Sequence, residues 1–203
     1  MTGNDHYFTA RPASPDERRV RTVTLAGREL DVETAGGVFS PDHVDLGTEV
    51  LLRSVPAPPE HGDLLDLGCG WGPIALSLAL ASPSARVWAV DVNERALDLV
   101  RRNAERLGCT NVVAVAPDDV PADVRFAAVW SNPPIRVGKP ELHALLLRWL
   151  PRLSPGAAAH LVVAKNLGAD SLQRWVAEQL GTSADVERVA TAKGFRVVRV
   201  SAR

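Results

Sequence analysis

Short apolar runs alternate with amphipathic segments along the chain from residue 63 onward. Apolar runs are typical of strands buried in a parallel sheet, whereas apolar residues spaced three and four positions apart are typical of the helices that cover such a sheet. The apolar runs lie at residues 63–65, 86–90, 112–116, 126–130 and 161–164. Their alternation with helical segments predicts an α/β fold with a doubly wound sheet.

The clearest helical segment covers residues 94–107. Its apolar side chains form one stripe, Asn93 is a favourable N-cap before it, and Gly108 supplies a stop after it. Residues 74–80 and 48–55 are also predicted to be helical. The stripe on the helix at residues 94–107 indicates that this helix packs on the sheet.

The chain before the first of these strands lacks the alternation. Residues 5–19 are polar and interrupted by prolines, which predicts an irregular arm. Two short apolar segments, at residues 20–25 and 30–33, flank Ala26-Gly27. This arrangement predicts a β-hairpin with a tight turn at those two residues.

A loop and a linker follow the hairpin. Residues 36–47 contain too much glycine and proline for regular structure, and Phe39 within them either closes over a ligand or anchors the front of the chain. Residues 56–59 form a proline-rich linker. We therefore expect a front part at residues 1–55, with arm, hairpin and pocket-closing loop packed on the main domain, and a main domain at residues 56–203.

Composition and charge narrow the class of protein. The 203 residues are 46% hydrophobic, which is enough for one domain with a large core, and the net charge of −1 excludes a uniformly basic nucleic-acid binder but not a local basic face. Cys69 and Cys109 lack the spacing of a metal site. With no signal-peptide core and no apolar run long enough to cross a bilayer, we expect a cytoplasmic protein without metal or membrane.

Three glycines follow the strand at residues 63–65 and precede a helix. Gly68, Gly70 and Gly72 let the backbone turn sharply and approach a ligand closely, while the helix N-terminus presents free N–H groups. Asp91 ends the next strand, about twenty residues further on, where a carboxylate can bind ribose hydroxyls. Together these residues predict a site for a nucleotide-containing cofactor.

The third strand of the main domain, at residues 112–116, is followed by Pro117-Asp118-Asp119. Ligands of open α/β sheets bind at the carboxyl ends of the strands. Asp118 is therefore a candidate to accept a hydrogen bond from an adenine amino group. A solvated acidic turn is an equally good interpretation of this residue.

The fourth strand leads into Asn132-Pro133-Pro134 at the same edge of the sheet. Each proline lacks an N–H and restricts the residue before it to extended geometry, so we expect the Asn132 and Pro133 carbonyls to have no local donor. The Asn132 side-chain oxygen and the Pro133 carbonyl can then accept both hydrogens of a planar amino group. An ordinary Asn-Pro turn explains the dipeptide, but not its position opposite the glycines.

These motifs resemble the class I S-adenosylmethionine-dependent methyltransferases, and among them the "methyltransferase small" group that contains the small-subunit ribosomal RNA guanine-N2 methyltransferases. The similar segments are Asp66-x-Gly68-x-Gly70-x-Gly72-Pro73, Asp91-Val92-Asn93, Ser131-Asn132-Pro133-Pro134-Ile135, Gly138-Lys139, Gly37-Val38-Phe39-Ser40, Asp45-x-Gly47, Lys165-Asn166-Leu167-Gly168-Ala169-Asp170-Ser171-Leu172 and Lys193-Gly194-Phe195-Arg196-Val197. The resemblance covers the chain from about residue 6 to its end.

The resemblance implies a Rossmann-like seven-stranded doubly wound sheet with an antiparallel C-terminal strand, in addition to the N-terminal hairpin. It also implies S-adenosylmethionine as the cofactor. Asp66 and the glycine loop would hold its methionine part, Asp91 the ribose, and Val92 with Asp118 the adenine. Larger relatives carry a second, degenerate copy of the domain, and we expect only one here.

The resemblance further implies that Asn132 and Pro133 are catalytic and that the acceptor is guanine N2 of 16S ribosomal RNA. Phe39 and Asp45 would help to close the pocket. The expected substrate contacts are Phe39, Pro134, Ile135, Arg136 and Lys139. The expected partner is ribosomal RNA or a small-subunit particle, bound transiently by a monomer.

Other functions share some of these motifs. The Asn-Pro-Pro geometry also serves methylation of protein glutamine amides, and a small-molecule amine is a further possible acceptor. Arg136, Lys139 and the arginines at residues 18–21 favour a phosphate-containing substrate over an uncharged peptide. A non-catalytic RNA-binding assembly module is the alternative from another class, and a dinucleotide-dependent dehydrogenase would leave Asn-Pro-Pro unexplained.

Overall fold

The computed structural model describes residues 16–203. The strands are β1 Arg18–Leu25, β2 Arg28–Ala35, β3 Asp63–Leu67, β4 Arg86–Val90, β5 Val112–Val115, β6 Phe126–Ser131, β7 Leu153–Ala164, β8 Ala184–Ala192 and β9 Phe195–Ala202. The helices are α1 Leu46–Ser54, α2 Pro73–Ala81, α3 Glu94–Arg106, α4 Lys139–Trp149 and α5 Ala169–Leu180. None of the helices in this described part is long and apolar enough to span a membrane.

Seven strands form one sheet in the order β5-β4-β3-β6-β7-β9-β8. β3 pairs in parallel with β4 and β6, and β9 runs antiparallel between β7 and β8. The chain order reverses at β3, so the carboxyl ends of β3, β4 and β6 meet at a topological switch point, where ligands of such sheets bind. The predicted Rossmann-like sheet with an antiparallel C-terminal strand is confirmed.

Apolar side chains cover both faces of the sheet. On one face α1, α2 and α3 contribute buried residues such as Leu51, Leu78 and Val100. On the other face α4 and α5 contribute others, among them Trp149, whose ring centroid lies 5.9 Å from that of Phe126. Each fully buried side chain of this size contributes about 1.5–3 kcal/mol through the area removed from water.

The predicted hairpin is also confirmed, with longer strands than its apolar segments indicated. Ala26 and Gly27 both have positive φ angles, of 48° and 73°, as a two-residue hairpin turn of the favoured hand requires. The inner face of the hairpin packs on α3, and Glu33 of β2 lies within 4 Å of guanidinium groups that include Arg106 of α3. The hairpin therefore shares a core with α2 and α3, two of the helices that cover the sheet, while the domain boundary near residue 55 stays a prediction.

Several boundaries differ from those predicted. The predicted irregular arm lies outside the described residues up to residue 15. At Arg18 and Arg19 the prediction is wrong, because β1 begins at Arg18 and the guanidinium group of Arg18 pairs with Asp98 of α3. β7 begins at Leu153 rather than at residue 161. Its first half contains Pro155 and Gly156, where the pairing with β6 is irregular. Proline and glycine typically indicate a turn, so the sequence did not predict a strand there.

A buried histidine of β7 gives a prediction about stability. His160 is 4% exposed, and burial, with Arg199 on the neighbouring strand as a smaller cause, lowers the pKa of His160 from 6.5 to about 4. The unfolded chain therefore binds a proton at this residue first as the pH falls. The free energy of unfolding therefore has its full value above pH 6.5, the pKa of the unfolded chain, and decreases below it, by about 2 kcal/mol at pH 5.

Urea unfolding of the wild type and of His160→Gln at pH 7.5 and pH 5 measures this contribution. Between pH 7.5 and pH 5 the free energy of unfolding should fall more in the wild type than in His160→Gln, because glutamine binds no proton. The same difference at both pH values would contradict the prediction.

Candidate active site

One cavity of about 450 Å³ opens at the carboxyl ends of β3, β4, β6 and β7. This volume lies within the range of small-molecule sites in proteins. The lining residues are Val38, Phe39, Asp45, Leu67, Gly68, Gly70, Val90, Asp91, Val92, Asn93, Ala96, Pro117, Asn132, Pro133, Pro134, Ile135, Arg136, Leu145, Val162, Ala164, Asn166, Leu167 and Phe195. Most of the predicted site residues are therefore brought together.

The glycine loop forms one wall of the cavity. Gly68 and Gly70 have φ angles of 77° and 55°, and the Gly68 N–H donates to the Val90 carbonyl at 2.8 Å. Gly72 does not line the cavity. It precedes α2 with a φ of 99°, and a Cβ there would lie 3.0 Å from a methyl group of Val100. Gly68 and Gly70 therefore shape the wall, whereas Gly72 lets α2 pack closely on α3.

Asp91 organises the neighbouring wall. One carboxylate oxygen accepts a hydrogen bond from the Gly70 N–H at 3.0 Å, and the other accepts one from the Asn93 N–H at 2.9 Å. Burial raises the pKa of Asp91 above its ordinary value, although these backbone donors oppose the shift. Val92 follows, lines the same wall and is 47% exposed. Asp91 thus connects the glycine loop to the start of α3.

Asp66 lies behind the glycine loop and not in the cavity wall. It is fully buried, and one carboxyl oxygen accepts a hydrogen bond from the Ala75 N–H of α2 at 2.8 Å. Burial, with the nearby charge of Asp91 as a further cause, raises the pKa of Asp66 to about 8. In this structure the carboxyl group holds α2 against β3, and its contact with a cofactor stays a prediction.

Two other predicted residues lie outside the cavity wall. The Asp118 side chain is 90% exposed, and its carboxylate is 2.9 Å from a guanidinium nitrogen of Arg148. Pro117 is the residue of that turn that lines the cavity. Lys139 is exposed at the start of α4. An adenine contact by Asp118 stays a prediction.

Asn132 is held by two residues from the front of the chain. Its side-chain nitrogen donates to a carboxylate oxygen of Asp45 at 2.8 Å and lies 3.1 Å from the hydroxyl oxygen of Thr48. An amide nitrogen has two hydrogens, so both are used by these contacts. Asn132 lines the cavity, and its side-chain oxygen remains as the acceptor of the group.

The Pro133 carbonyl differs from the expectation that it has no local donor. The Ile135 N–H donates to it at 2.8 Å. Pro134 causes this contact, because its φ of −74° and ψ of 74° form an inverse γ-turn, which joins a carbonyl to the N–H two residues later. A carbonyl oxygen has two lone pairs, so Pro133 keeps one for another donor.

The loop between β2 and α1 lines the cavity and is hydrogen-bonded to the glycine loop and to the N-cap of α3. The indole N–H of Trp71 donates to the Ser40 carbonyl at 3.0 Å, and the Asn93 side-chain nitrogen donates to the Gly37 carbonyl at 2.8 Å. Phe39 lies between these anchors, lines the cavity and is 39% exposed. Its position is compatible with a closing role.

Sequence reasoning missed several residues of the site. Thr48 appeared only as the start of a helix, and Phe195 and Leu167 only within segments of family resemblance. No local pattern marks Thr48, because its partner Asn132 is 84 residues away. Thr48 is buried, and a buried polar group requires a hydrogen-bond partner, but that burial is a property of the fold and is not visible in the sequence.

Comparison with known proteins shows the family of the chain. Residues 29–199 match the model of the methyltransferase small domain family. The uncharacterized protein YbxB of Bacillus subtilis is 33% identical over 199 residues, which are 97% of this chain and 98% of that protein. The ribosomal RNA small subunit methyltransferase C of Pseudomonas aeruginosa is 34% identical over 161 residues, 74% of this chain and 47% of the relative.

A third relative, the ribosomal RNA small subunit methyltransferase C of Aeromonas hydrophila, is 40% identical over 118 residues, 57% of this chain and 33% of that protein. The chain thus spans between a third and a half of the methyltransferase C proteins and nearly all of the Bacillus protein.

Two solved structures show the same fold. The 16S rRNA N2 methyltransferase RsmC of T. Thermophilus, in complex with AdoMet and guanosine, has a TM-score of 0.79 at 23% identity, covering 93% of this chain and 52% of that one. A methyltransferase from Pyrococcus furiosus has a TM-score of 0.63 at 21% identity, covering 85% and 88%. Because the family model matches most of this chain, at residues 29–199, the chain belongs to the methyltransferase small domain family.

Proposed function

We propose that this protein transfers a methyl group from S-adenosylmethionine to an exocyclic amino group, and that the acceptor is guanine N2 of 16S ribosomal RNA. The orientation of Asn132 carries the proposal. Asn132 lines the cavity together with Gly68 and Gly70, and Asp45 and Thr48 occupy its side-chain nitrogen, which leaves the side-chain oxygen to accept from a substrate. Family membership supports the reaction class, and the likeness to the 16S rRNA N2 methyltransferase of T. Thermophilus supports the choice of acceptor.

The cavity fits the cofactor that the family implies. A Cβ at Gly68 would lie 3.7 Å from Pro134, so a larger side chain would project between the glycine wall and the Asn-Pro-Pro segment. Gly68 and Gly70 would hold the methionine part, Asp91 would accept from the ribose hydroxyls, and Val92 and Pro117 would flank the adenine. AdoMet and SAH are the ligands named for two matched structures, the T. Thermophilus enzyme and a putative methyltransferase from Streptococcus mutans.

When bound, S-adenosylmethionine supplies an electrophilic methyl group on a sulfonium. The residues of the chain place the amine. The Asn132 side-chain oxygen and the free lone pair of the Pro133 carbonyl accept the two N–H groups, which directs the nitrogen lone pair into the cavity. The carboxylates of the cavity wall, Asp45 and Asp91, both accept backbone N–H groups. We therefore assign catalysis to orientation and preorganised acceptors, with the amine proton passing to water after transfer.

The rim of the cavity favours a phosphate-containing substrate. Arg136 lines the rim and Lys139 is exposed three residues later, and neither forms an ion pair with another of residues 16–203. The arginines of β1 are different. Arg18 and Arg19, which in the sequence favour a phosphate-containing substrate, pair with acidic residues of their own chain. We therefore restrict the proposed RNA contacts to the rim.

Lys139→Ala gives a prediction that does not depend on the reacting base. Loss of one phosphate contact is expected to lower the slope of log affinity against log salt by about 1 and to weaken RNA binding similarly for all sequences. Filter binding of 16S rRNA at several salt concentrations measures both. Arg203→Ala is the control, because this arginine pairs with Asp185 at the far edge of the sheet, and an equal change in both variants would contradict the prediction.

The proposed function is tested by methyl transfer from radiolabelled S-adenosylmethionine to naked 16S rRNA, small-subunit particles, total tRNA and a release-factor-like protein. We expect label in 16S rRNA, and N2-methylguanosine after digestion. Because the target base must leave its stack, unpaired or incompletely assembled RNA should be the better substrate. Label in protein alone would contradict the RNA assignment, and label in tRNA alone would contradict the choice of 16S rRNA.

A further inference from the structure

We propose that Asp45 and Thr48 are positioning residues that fix which end of the Asn132 amide faces the substrate. This proposal rests on the proposed function, because it concerns the amide that accepts the substrate N–H. Both residues precede the proline-rich linker, whereas the other proposed catalytic group, Pro133, follows it. The front of the chain would then complete the active site.

The two ends of an asparagine amide have nearly the same shape but opposite hydrogen-bonding character. Only the oxygen can accept from a substrate amine, and the nitrogen would present hydrogens to the hydrogens of that amine. A rotation of the Asn132 amide by half a turn would therefore remove the acceptor. It would also place the Asn132 oxygen against the Asp45 carboxylate, which has no hydrogen to donate.

The carboxylate that sets this orientation is itself held firmly. The same Asp45 oxygen that contacts Asn132 accepts from the Gly47 N–H at 2.8 Å and from the Thr48 N–H at 3.3 Å, as the N-cap of α1. A Cβ at Gly47 would lie 2.9 Å from this oxygen and 2.8 Å from the Phe195 ring. Gly47 therefore leaves the space in which the carboxylate sits.

Thr48 supplies the second acceptor from inside the fold. Thr48 is 3% exposed, and its hydroxyl oxygen is 3.1 Å from the Asn132 side-chain nitrogen. One acceptor would leave the amide a range of rotation about that contact. Two acceptors, one for each hydrogen of the nitrogen, define the plane of the amide and so the direction in which its oxygen points.

Thr48→Val and Thr48→Ser form the matched pair that tests the proposal. Valine keeps the shape and removes the acceptor, so we expect the single-turnover rate of methyl transfer to fall about tenfold, with the KM for RNA and the Kd for S-adenosylmethionine unchanged. Serine restores the hydroxyl and should recover most of the rate. In an Asn132→Ala background Thr48→Val should have no further effect, whereas a purely structural role would lower the rate equally in both backgrounds.

Asp45→Asn and Asp45→Ala test the carboxylate. The two backbone donors of α1 will hold the oxygen of an asparagine at the same place, so this variant should keep most of the rate. Alanine removes the contact with Asn132 and should lower the rate about a hundredfold. Equal rates in Asp45→Asn and Asp45→Ala, or in Thr48→Val and Thr48→Ser, would overturn the proposal.

Nuclear magnetic resonance provides a readout that needs no RNA. The side-chain amide signal of Asn132, identified by its loss in Asn132→Ala, should exchange slowly with water in the wild type and in Thr48→Ser, and about tenfold faster in Thr48→Val. Equal exchange in these three proteins would overturn the proposal. If the wild type methylates no RNA while exchange still distinguishes the variants, the proposed function fails and the positioning contact stands.

Discussion

Asn132→Ala is expected to lower the rate of methyl transfer to RNA by about 10²- to 10³-fold while the affinity for S-adenosylmethionine changes little. The side-chain oxygen of Asn132 is one of two acceptors that orient the amine, and removal of one preorganised group from a reacting centre has an effect of this size. The variant also leaves Asp45 without its contact to the amide nitrogen, but Asp45 keeps two backbone donors. Radiolabel incorporation under single-turnover conditions measures the rate.

Asn166→Ala is the matched control for this prediction. Asn166 lines the same cavity but is exposed, so its loss should change the rate only a few-fold. Equilibrium dialysis with labelled S-adenosylmethionine checks that both variants bind the cofactor. Transfer by Asn132→Ala at the wild-type rate would contradict the proposed mechanism, and a loss of cofactor affinity equal to the loss of rate would assign Asn132 to binding.

The elements from β3 to β6 were predictable because their signals are local, whereas the antiparallel C-terminal strand was expected only from the family resemblance. The apolar run of a buried strand and the apolar stripe of a covering helix each lie within ten to fifteen residues of sequence. α3 begins directly after Asn93, as this N-cap predicted. The hairpin was predictable for the same reason, from Ala26-Gly27. β7 was not, because Pro155 and Gly156 typically mark turns and only the pairing with β6 makes their segment a strand.

The site was predictable where a residue acts through its own backbone or its place at a strand end. Gly68, Gly70 and Asp91 were found in this way, since each follows a recognisable strand. Contacts between distant segments were not found: Thr48 lies 84 residues from Asn132, and nothing near either residue specifies the other. The Pro133 carbonyl was misjudged because the φ of Pro134 follows from its ring but its ψ does not.

Ion pairs between distant segments were likewise not predictable from the sequence. Asp118 is close in sequence to a strand end, and on that ground it was a candidate for the adenine. Its actual partner is Arg148, a residue of α4 that reaches the same turn from across the fold. The arginines of β1 likewise have acidic partners, one of them on α3. A charge in the sequence indicates a ligand contact only once its partners in the fold are known.

Asp91→Ala is expected to weaken binding of S-adenosylmethionine by about a hundredfold. In the proposed complex the carboxylate accepts from the ribose hydroxyls, and a hydrogen bond to a charged group contributes about 1.5–3 kcal/mol. The substitution also removes the acceptor of the Gly70 and Asn93 N–H groups, so the glycine wall loses its connection to α3. Isothermal titration with S-adenosylmethionine and S-adenosylhomocysteine measures the affinity.

The two causes of that loss are separable by changing the ligand. If Asp91 binds the ribose, the substitution should weaken binding of S-adenosylhomocysteine far more than binding of its 2′,3′-dideoxy analogue, because the analogue has no hydroxyls to donate. If Asp91 only holds Gly70 and the start of α3, both ligands should lose affinity equally. Asp91→Asn sharpens the distinction, since an amide oxygen can accept from one backbone N–H while its nitrogen opposes the other. An unchanged affinity in Asp91→Ala would remove Asp91 from the cofactor site altogether.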